Sequence, residues 1–266
     1  GTAWRCGRLS DMNPATRSRS TVLCAGVPID AVTRKAAAED VLALAAEPRS
    51  RGIDVHLCNA YTLALADRDA KLHALLCGAG RNFPDGKSVV WANRLRNGSH
   101  LPNERVYGPD LFLDVLDLGQ DLGTRHYLLG GAPDTLRNLQ QQIGQRFPQA
   151  EVVGAHSPPF RDLTEQEQSD EAAAIAATNP QIVWVGLGTP KQDVVAAELA
   201  AQIPAVFVAV GAAFDFVAGH KSQAPQWMQR NGLEWSYRLA SEPRRLWKRY
   251  LFGNTRFVYA AARRSH

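Results

Sequence analysis

The stretch Ile182-Val183-Trp184-Val185-Gly186-Leu187-Gly188-Thr189-Pro190-Lys191-Gln192 opens with six residues that lack polar alternation and closes in a glycine-rich turn. A run without alternation predicts a strand buried on both faces, as in a parallel sheet covered by helices. The turn then leads into a helix expected over 190–202. Working outward, strands are expected at 55–58, 125–129, 152–155 and 205–210, and helices at 61–76, 111–118 and 133–147. Pro109 and Asp110 suit the first turn of one helix, and Thr164-Glu165-Gln166-Glu167 has the capping-box pattern of another. Phe83-Pro84-Asp85-Gly86 reads as a polar loop. Strand–helix alternation with short connections implies an α/β fold: a Rossmann-like, doubly wound, mostly parallel sheet.

The 266 residues can bury a large core, and no apolar run is long enough to span a bilayer. No signal peptide is apparent at the start. Cys6, Cys24, Cys58 and Cys77 form no CxxC pair, which argues for reduced thiols over a zinc site or a disulfide framework. Residues 1–24 mix Arg, Ser, Pro and Gly without periodicity and read as a disordered leader or a processed end. The α/β catalytic domain is expected over 25–219, and a helical appendage over 220–266. That appendage holds ten Lys and Arg against two acids, while the whole chain is only +4. The basic surplus therefore belongs to the tail, which suits an anionic partner.

Ligands of doubly wound sheets bind outside the carboxyl ends of the strands. Polar groups stand there at Asn59, at Gly188 to Gln192, and at Ala213-Phe214-Asp215. In the second of these, the glycines let backbone N–H groups approach an anion, and the N-terminus of the following helix, near Lys191, supplies partial positive charge. Taken alone the segment is equally an ordinary βα turn, and with Pro190 it is no dinucleotide fingerprint. Asp85 is either a turn aspartate bonding its own backbone or a general base that takes a proton from an acceptor hydroxyl. Asp67-Arg68-Asp69 matches the DxD pattern of metal-holding carboxylates, but its helical setting reads as a solvated face, so metal-independent chemistry with no cofactor is expected. Trp227, Trp235 and Trp247 interleave with Arg230, Arg238, Arg244, Arg245 and Arg249, which suits a lipid headgroup interface. No nucleic-acid module is visible.

Together these segments resemble the TagA/WecG/CpsF family of bacterial glycosyltransferases, from about Val27 to the end. The resemblance rests on Asn59, on Phe83-Pro84-Asp85-Gly86, and on Glu104-Arg105-Val106-Tyr107-Gly108-Pro109-Asp110. It continues through Gly188-Thr189-Pro190-Lys191-Gln192-Asp193 and Gly211 to Gly219, then Ala224-Pro225-Gln226-Trp227-Met228 and Gly232 to Arg245. It implies transfer of a sugar from UDP to an undecaprenyl-diphosphate-linked glycan, with inversion, in cell-surface polysaccharide synthesis. By the same resemblance Asp85 is the base and Asn59 its neighbour. Arg105 and Gln192 contact the donor or the transition state, Asp215 contacts the nucleotide, and Arg238, Arg245 and Arg249 serve the diphosphate. A cytoplasmic protein peripheral on the inner face of the bacterial plasma membrane is implied, and a homo-oligomer is compatible with it. Two rivals come from other classes: a sugar-nucleotide-binding regulator without turnover, and a nucleic-acid-binding α/β protein that uses the basic tail.

Overall fold

The computed structural model describes residues 20–97, 100–220, 224–225, 227–228, 234–241 and 243–263. Within α4, α10 and α11, defined below, the side chains of residues 96–97, 234–235, 238, 245–246 and 248–252 also lie outside the described part. An antiparallel hairpin, β1 (Thr21–Cys24) and β2 (Val27–Asp30), precedes α1 (Arg34–Ala46). Then follow β3 (Ile53–Cys58), α2 (Ala60–Ala66), α3 (Ala70–Gly78), β4 (Arg81–Pro84), α4 (Lys87–Asn97) and α5 (Gly108–Gly119). Next come β5 (Arg125–Gly130), α6 (Pro133–Arg146), β6 (Glu151–His156), α7 (Glu165–Ala177), β7 (Ile182–Gly186) and α8 (Lys191–Ala200). The chain continues with β8 (Val206–Ala209), α9 (Ala213–Val217), α10 (Glu234–Ser241) and α11 (Pro243–Arg263).

The six strands β3 to β8 form one parallel sheet in the order β4-β3-β8-β7-β5-β6. Alternate side chains feed opposite faces, as the period of a strand requires. Leu57, Leu128, Trp184 and Val208 pack under α1, α5, α6 and α9. Tyr127, Leu129, Val183, Val185 and Phe207 pack under α7 and α8. A third cluster joins the hairpin to α2, α3, Val89 of α4, and Phe257 and Ala260 of α11. The unbroken apolar run of β7 is thus explained by cover on both sides.

Three local signals set their elements as expected. Thr164 and Glu167 close the capping box of α7, Pro109 opens α5, and Pro133 opens α6. The helix expected over 61–76 is instead two, because Asp69 turns extended and its side chain accepts the Lys71 and Leu72 N–H groups to cap α3. The loop expected at 83–86 begins as strand β4, which Pro84 ends. Thr21–Cys24, assigned from composition to the leader, pairs with Val27–Asp30 as a strand.

β4 is an edge strand of the parallel sheet, yet two of its outward backbone groups are occupied. The Asn82 N–H donates to Asp30 Oδ2 (2.7 Å), and the Pro84 carbonyl accepts the Val106 N–H (2.8 Å). The Asn82 amide, fully buried, also donates to the Pro28 and Leu76 carbonyls. One polar side chain therefore ties the hairpin and α3 to the sheet.

The Asp67-Arg68-Asp69 motif is a solvated face only in part: Arg68 and Asp69 are exposed, while the Asp67 side chain is covered. The Asp67 carboxylate, 4% exposed, pairs with Arg256 of α11, and Asp69 is spent as the cap of α3. Beside that pair α11 lies on α2 so closely that a Cβ at Gly253 would sit 3.1 Å from the Tyr61 ring. Asp67→Ala should therefore loosen α11, leaving Arg256 without its carboxylate over a buried cluster. Limited proteolysis should cut the C-terminal helix of the variant first. Cleavage as slow as in the wild type would show that the pair holds nothing.

Candidate active site

The crossovers from β5 and β7, neighbours in the sheet, run in opposite directions, to β6 and to β8. β5 leads into α6 on one face and β7 leads into α8 on the other, so the switch point lies between their carboxyl ends. Both strands end in glycine, Gly130 opposite Gly186. A Cβ at Gly130 would stand 2.7 Å from the Gly186 carbonyl oxygen, and one at Gly186 would stand 2.7 Å from the Phe214 ring. At these two strand ends the packing leaves no room for a side chain, so only glycine fits. Gly188 (φ +81°) then turns the chain into α8, where its N–H donates to Gln192 Oε1 (3.0 Å). Gln192, 3% exposed, braces the turn that it was expected to share with a ligand.

Three strand positions away, the chemistry-bearing residues meet. Cys58 pairs with Pro84 across β3 and β4, so the next residues, Asn59 and Asp85, emerge side by side at the same rim. The Asp85 N–H donates to the Cys58 carbonyl (2.9 Å), continuing the ladder. Asn59 caps α2: its Oδ1 accepts the Tyr61 and Thr62 N–H groups and the Thr62 hydroxyl. What Asn59 can offer a substrate is therefore its amide N–H2, a donor. Arg105 reaches Asp85 Oδ1 with Nε at 3.4 Å, and its guanidinium lies 4.1 Å from the centre of the Tyr107 ring. Tyr107 in turn stands 6.3 Å from Phe216 of α9, the neighbour of Asp215. With strands about 4.8 Å apart, the rim from Asp85 to Gly188 spans roughly 14 Å.

The structure thus joins Asn59, Asp85 and Arg105, gathers Gly188 and Gln192 on the same rim, and sets Asp215 after β8, between the two groups. Lys191 points elsewhere. Its ammonium donates to the Arg161 carbonyl (3.0 Å) and lies 3.7 Å from Asp162, on the loop before α7. The side chains of Arg238, Arg245 and Arg249 lie outside the described residues. Among those described, no group of three His, Cys, Asp or Glu is placed to hold a metal ion.

Sequence reasoning passed over two groups. One is the pair Gly130 and Gly131, signalled only by a strand running into two glycines. The other is His56, fully buried on β3, whose Nδ1 lies 2.9 Å from Asp193 Oδ1 and whose Nε2 lies 2.9 Å from Asp54 Oδ2. Carboxylate oxygens only accept, so both ring nitrogens must donate and His56 is an imidazolium. Burial alone would lower its pKa, but the hydrogen bonds to Asp193 and Asp54 prevail and raise it to about 9. Asp193 sits in the first turn of α8, directly after Gln192, so this cation clamps the helix that follows the Gly188 turn onto the strand that leads to Asn59.

The family profile described as "Glycosyl transferase WecG/TagA/CpsF family" matches residues 22–266. The chain belongs to this family of glycosyl transferases. Among similar proteins is the N-acetylglucosaminyldiphosphoundecaprenol N-acetyl-beta-D-mannosaminyltransferase of Bacillus subtilis (strain 168), 33% identical over 189 residues, which cover 71% of this chain and 70% of that one. The family match spans both arms of the rim and the terminal helices, so every candidate residue above falls within it.

Proposed function

We propose that this glycosyltransferase moves a sugar, with inversion, from a UDP-sugar to a glycan carried on polyprenyl diphosphate, at the inner face of the bacterial plasma membrane. The observation that carries the reading is the junction of β3 and β4, where Asn59 and Asp85 stand side by side and Arg105 holds an Asp85 oxygen. The relative from Bacillus subtilis is named for an acceptor of that class and for an N-acetylmannosaminyl donor group. No described helix is long and apolar enough to cross a membrane.

In this mechanism Asp85 takes the proton of the acceptor hydroxyl as its oxygen attacks the anomeric carbon. UDP departs from the opposite face. Its diphosphate lies over the glycines of β5 and β7 and the first turn of α8, where N–H groups and the helix dipole meet the growing negative charge. Arg105 orients the base, and the Asn59 amide donates to a sugar oxygen. Arg238, Arg245 and Arg249 add cations at the leaving group, where charge grows most in the transition state.

The chemistry needs no metal, since Asp67 and Asp69 are engaged in folding. Activity should survive EDTA. Loss on chelation, restored by Mg²⁺ or Mn²⁺, would sink this point. The reaction itself is tested by a panel of UDP-sugars against a short-chain polyprenyl-diphosphate glycan, scored by the mass of the product. Release of UDP without a heavier glycan, or no product with any donor, would overturn the assignment.

A further inference from the structure

Helix α4 buries Val89, Val90 and Asn93, yet leaves Trp91 52% and Leu95 87% exposed. Scattered apolar residues on a surface need no explanation. These two are four residues apart and share one stripe of the helix. Arg94 beside them is exposed, and the charged residues of α4 are Lys87, Arg94 and Arg96, without one acid. The helix starts two residues after Asp85, with the Gly86 carbonyl accepting the Val90 N–H (3.3 Å). At 1.5 Å per residue, Trp91 and Leu95 stand roughly 6 and 12 Å along the axis from Lys87. The inner face of α4 shares its cluster with Phe257 and Ala260 of α11, and α11 likewise exposes Trp247, Val258 and Tyr259.

We infer that α4 is a lipid-facing foot: Trp91 and Leu95 enter the headgroup boundary of an anionic bilayer, and Lys87 and Arg94 meet its phosphates. An aromatic ring with an aliphatic neighbour and flanking cations suits that boundary. A second copy of the chain is the poorer occupant, because stacking this face on itself sets cation against cation. The foot sets the turn that carries Asp85 against the membrane. That last step rests on the proposed reaction, since a polyprenyl-linked acceptor cannot leave the bilayer. The tail is then one of two contacts, and α4 is the one next to the base.

The test uses the full chain and vesicles of phosphatidylglycerol and phosphatidylethanolamine. Trp91→Ser with Leu95→Ser should weaken partition onto vesicles by about tenfold or more. Leu95→Ser alone, at so exposed a position, should give part of that loss with an unchanged circular-dichroism melt. Brominated acyl chains should quench less tryptophan emission in Trp91→Phe than in the wild type. Turnover on a water-soluble acceptor analogue should stay within about twofold, and the sedimentation coefficient should not move. Unchanged partition and quenching would overturn the inference. A variant that turns an oligomer into a monomer while partition is kept would make the face an interface between copies instead. If no UDP-sugar is transferred and partition still falls, the reaction is wrong and the lipid contact stands.

Discussion

Asp85→Asn should lower turnover by roughly 10²-fold or more while leaving the fold and the affinity for UDP in place. The amide has the shape of the carboxylate, so the turn after β4 and the bond from its N–H to Cys58 persist. What disappears is the carboxylate that the proposed mechanism uses to take the acceptor proton. The Arg105 contact at 3.4 Å becomes weaker, but Arg105 keeps its place over the Tyr107 ring. The proposed mechanism sets UDP at the other end of the rim, so calorimetry on the variant should return a wild-type dissociation constant. Turnover within about threefold of the wild type would remove Asp85 from the mechanism.

His56→Ala should be the most destabilising single change among the residues described above. It leaves Asp54 and Asp193 facing a cavity without their shared cation, and Asp193 Oδ2 is already buried without a hydrogen-bond partner among the described residues. Removing one member of a buried ionic group costs about 3–5 kcal/mol. Urea unfolding should show it, and His56→Gln, which restores a donor but no charge, should recover only part. A loss below about 1 kcal/mol would mean that the two carboxylates are satisfied without the ring.

The same residue gives the wild type a pH signature. Its folded pKa of about 9 lies above the unfolded value of 6.5, so its contribution is complete below 6.5, shrinks as pH rises and is gone above about 9. A midpoint of unfolding that falls between pH 7 and 9, and falls less in His56→Gln, is the expected result. The second buried histidine should stay silent over that range. His126 Nδ1 accepts the Trp184 indole N–H (3.2 Å), and burial lowers its pKa to about 4.

What the sequence reveals here is what short spans encode. β7 announces itself by six residues without alternation, and α7 by a cap and its partner three residues on. β4 escapes notice because it has four residues, two of them polar, and its strand character comes from pairing with β3. Asn59 and Asp85 are each legible as polar residues after an apolar stretch. Their adjacency is not, because it depends on the register of two strands, one of which does not look like a strand. His56 and Asp193 lie 137 positions apart, and only the packing of α8 on β3 brings them together. Asp67 misleads for a related reason. Its polar surroundings in sequence suggest solvent, while the helix that covers it comes from the far end of the chain.

The cover on β4 also bears on how copies of this chain can associate. A sheet edge with open N–H and C=O groups is a template that a strand from another molecule can extend. On the β4 side a carboxylate and a backbone N–H from the same chain already fill two of those positions, so strand addition there would first have to evict Asp30 and Val106. The opposite edge is β6, six residues long and flanked, among the described residues, by β5 alone. Assembly by continuing the sheet would not have to evict Asp30 and Val106 at that edge. Two copies joined there would carry their Asp85 rims at the outer ends of a twelve-stranded sheet, as far apart as such a sheet permits.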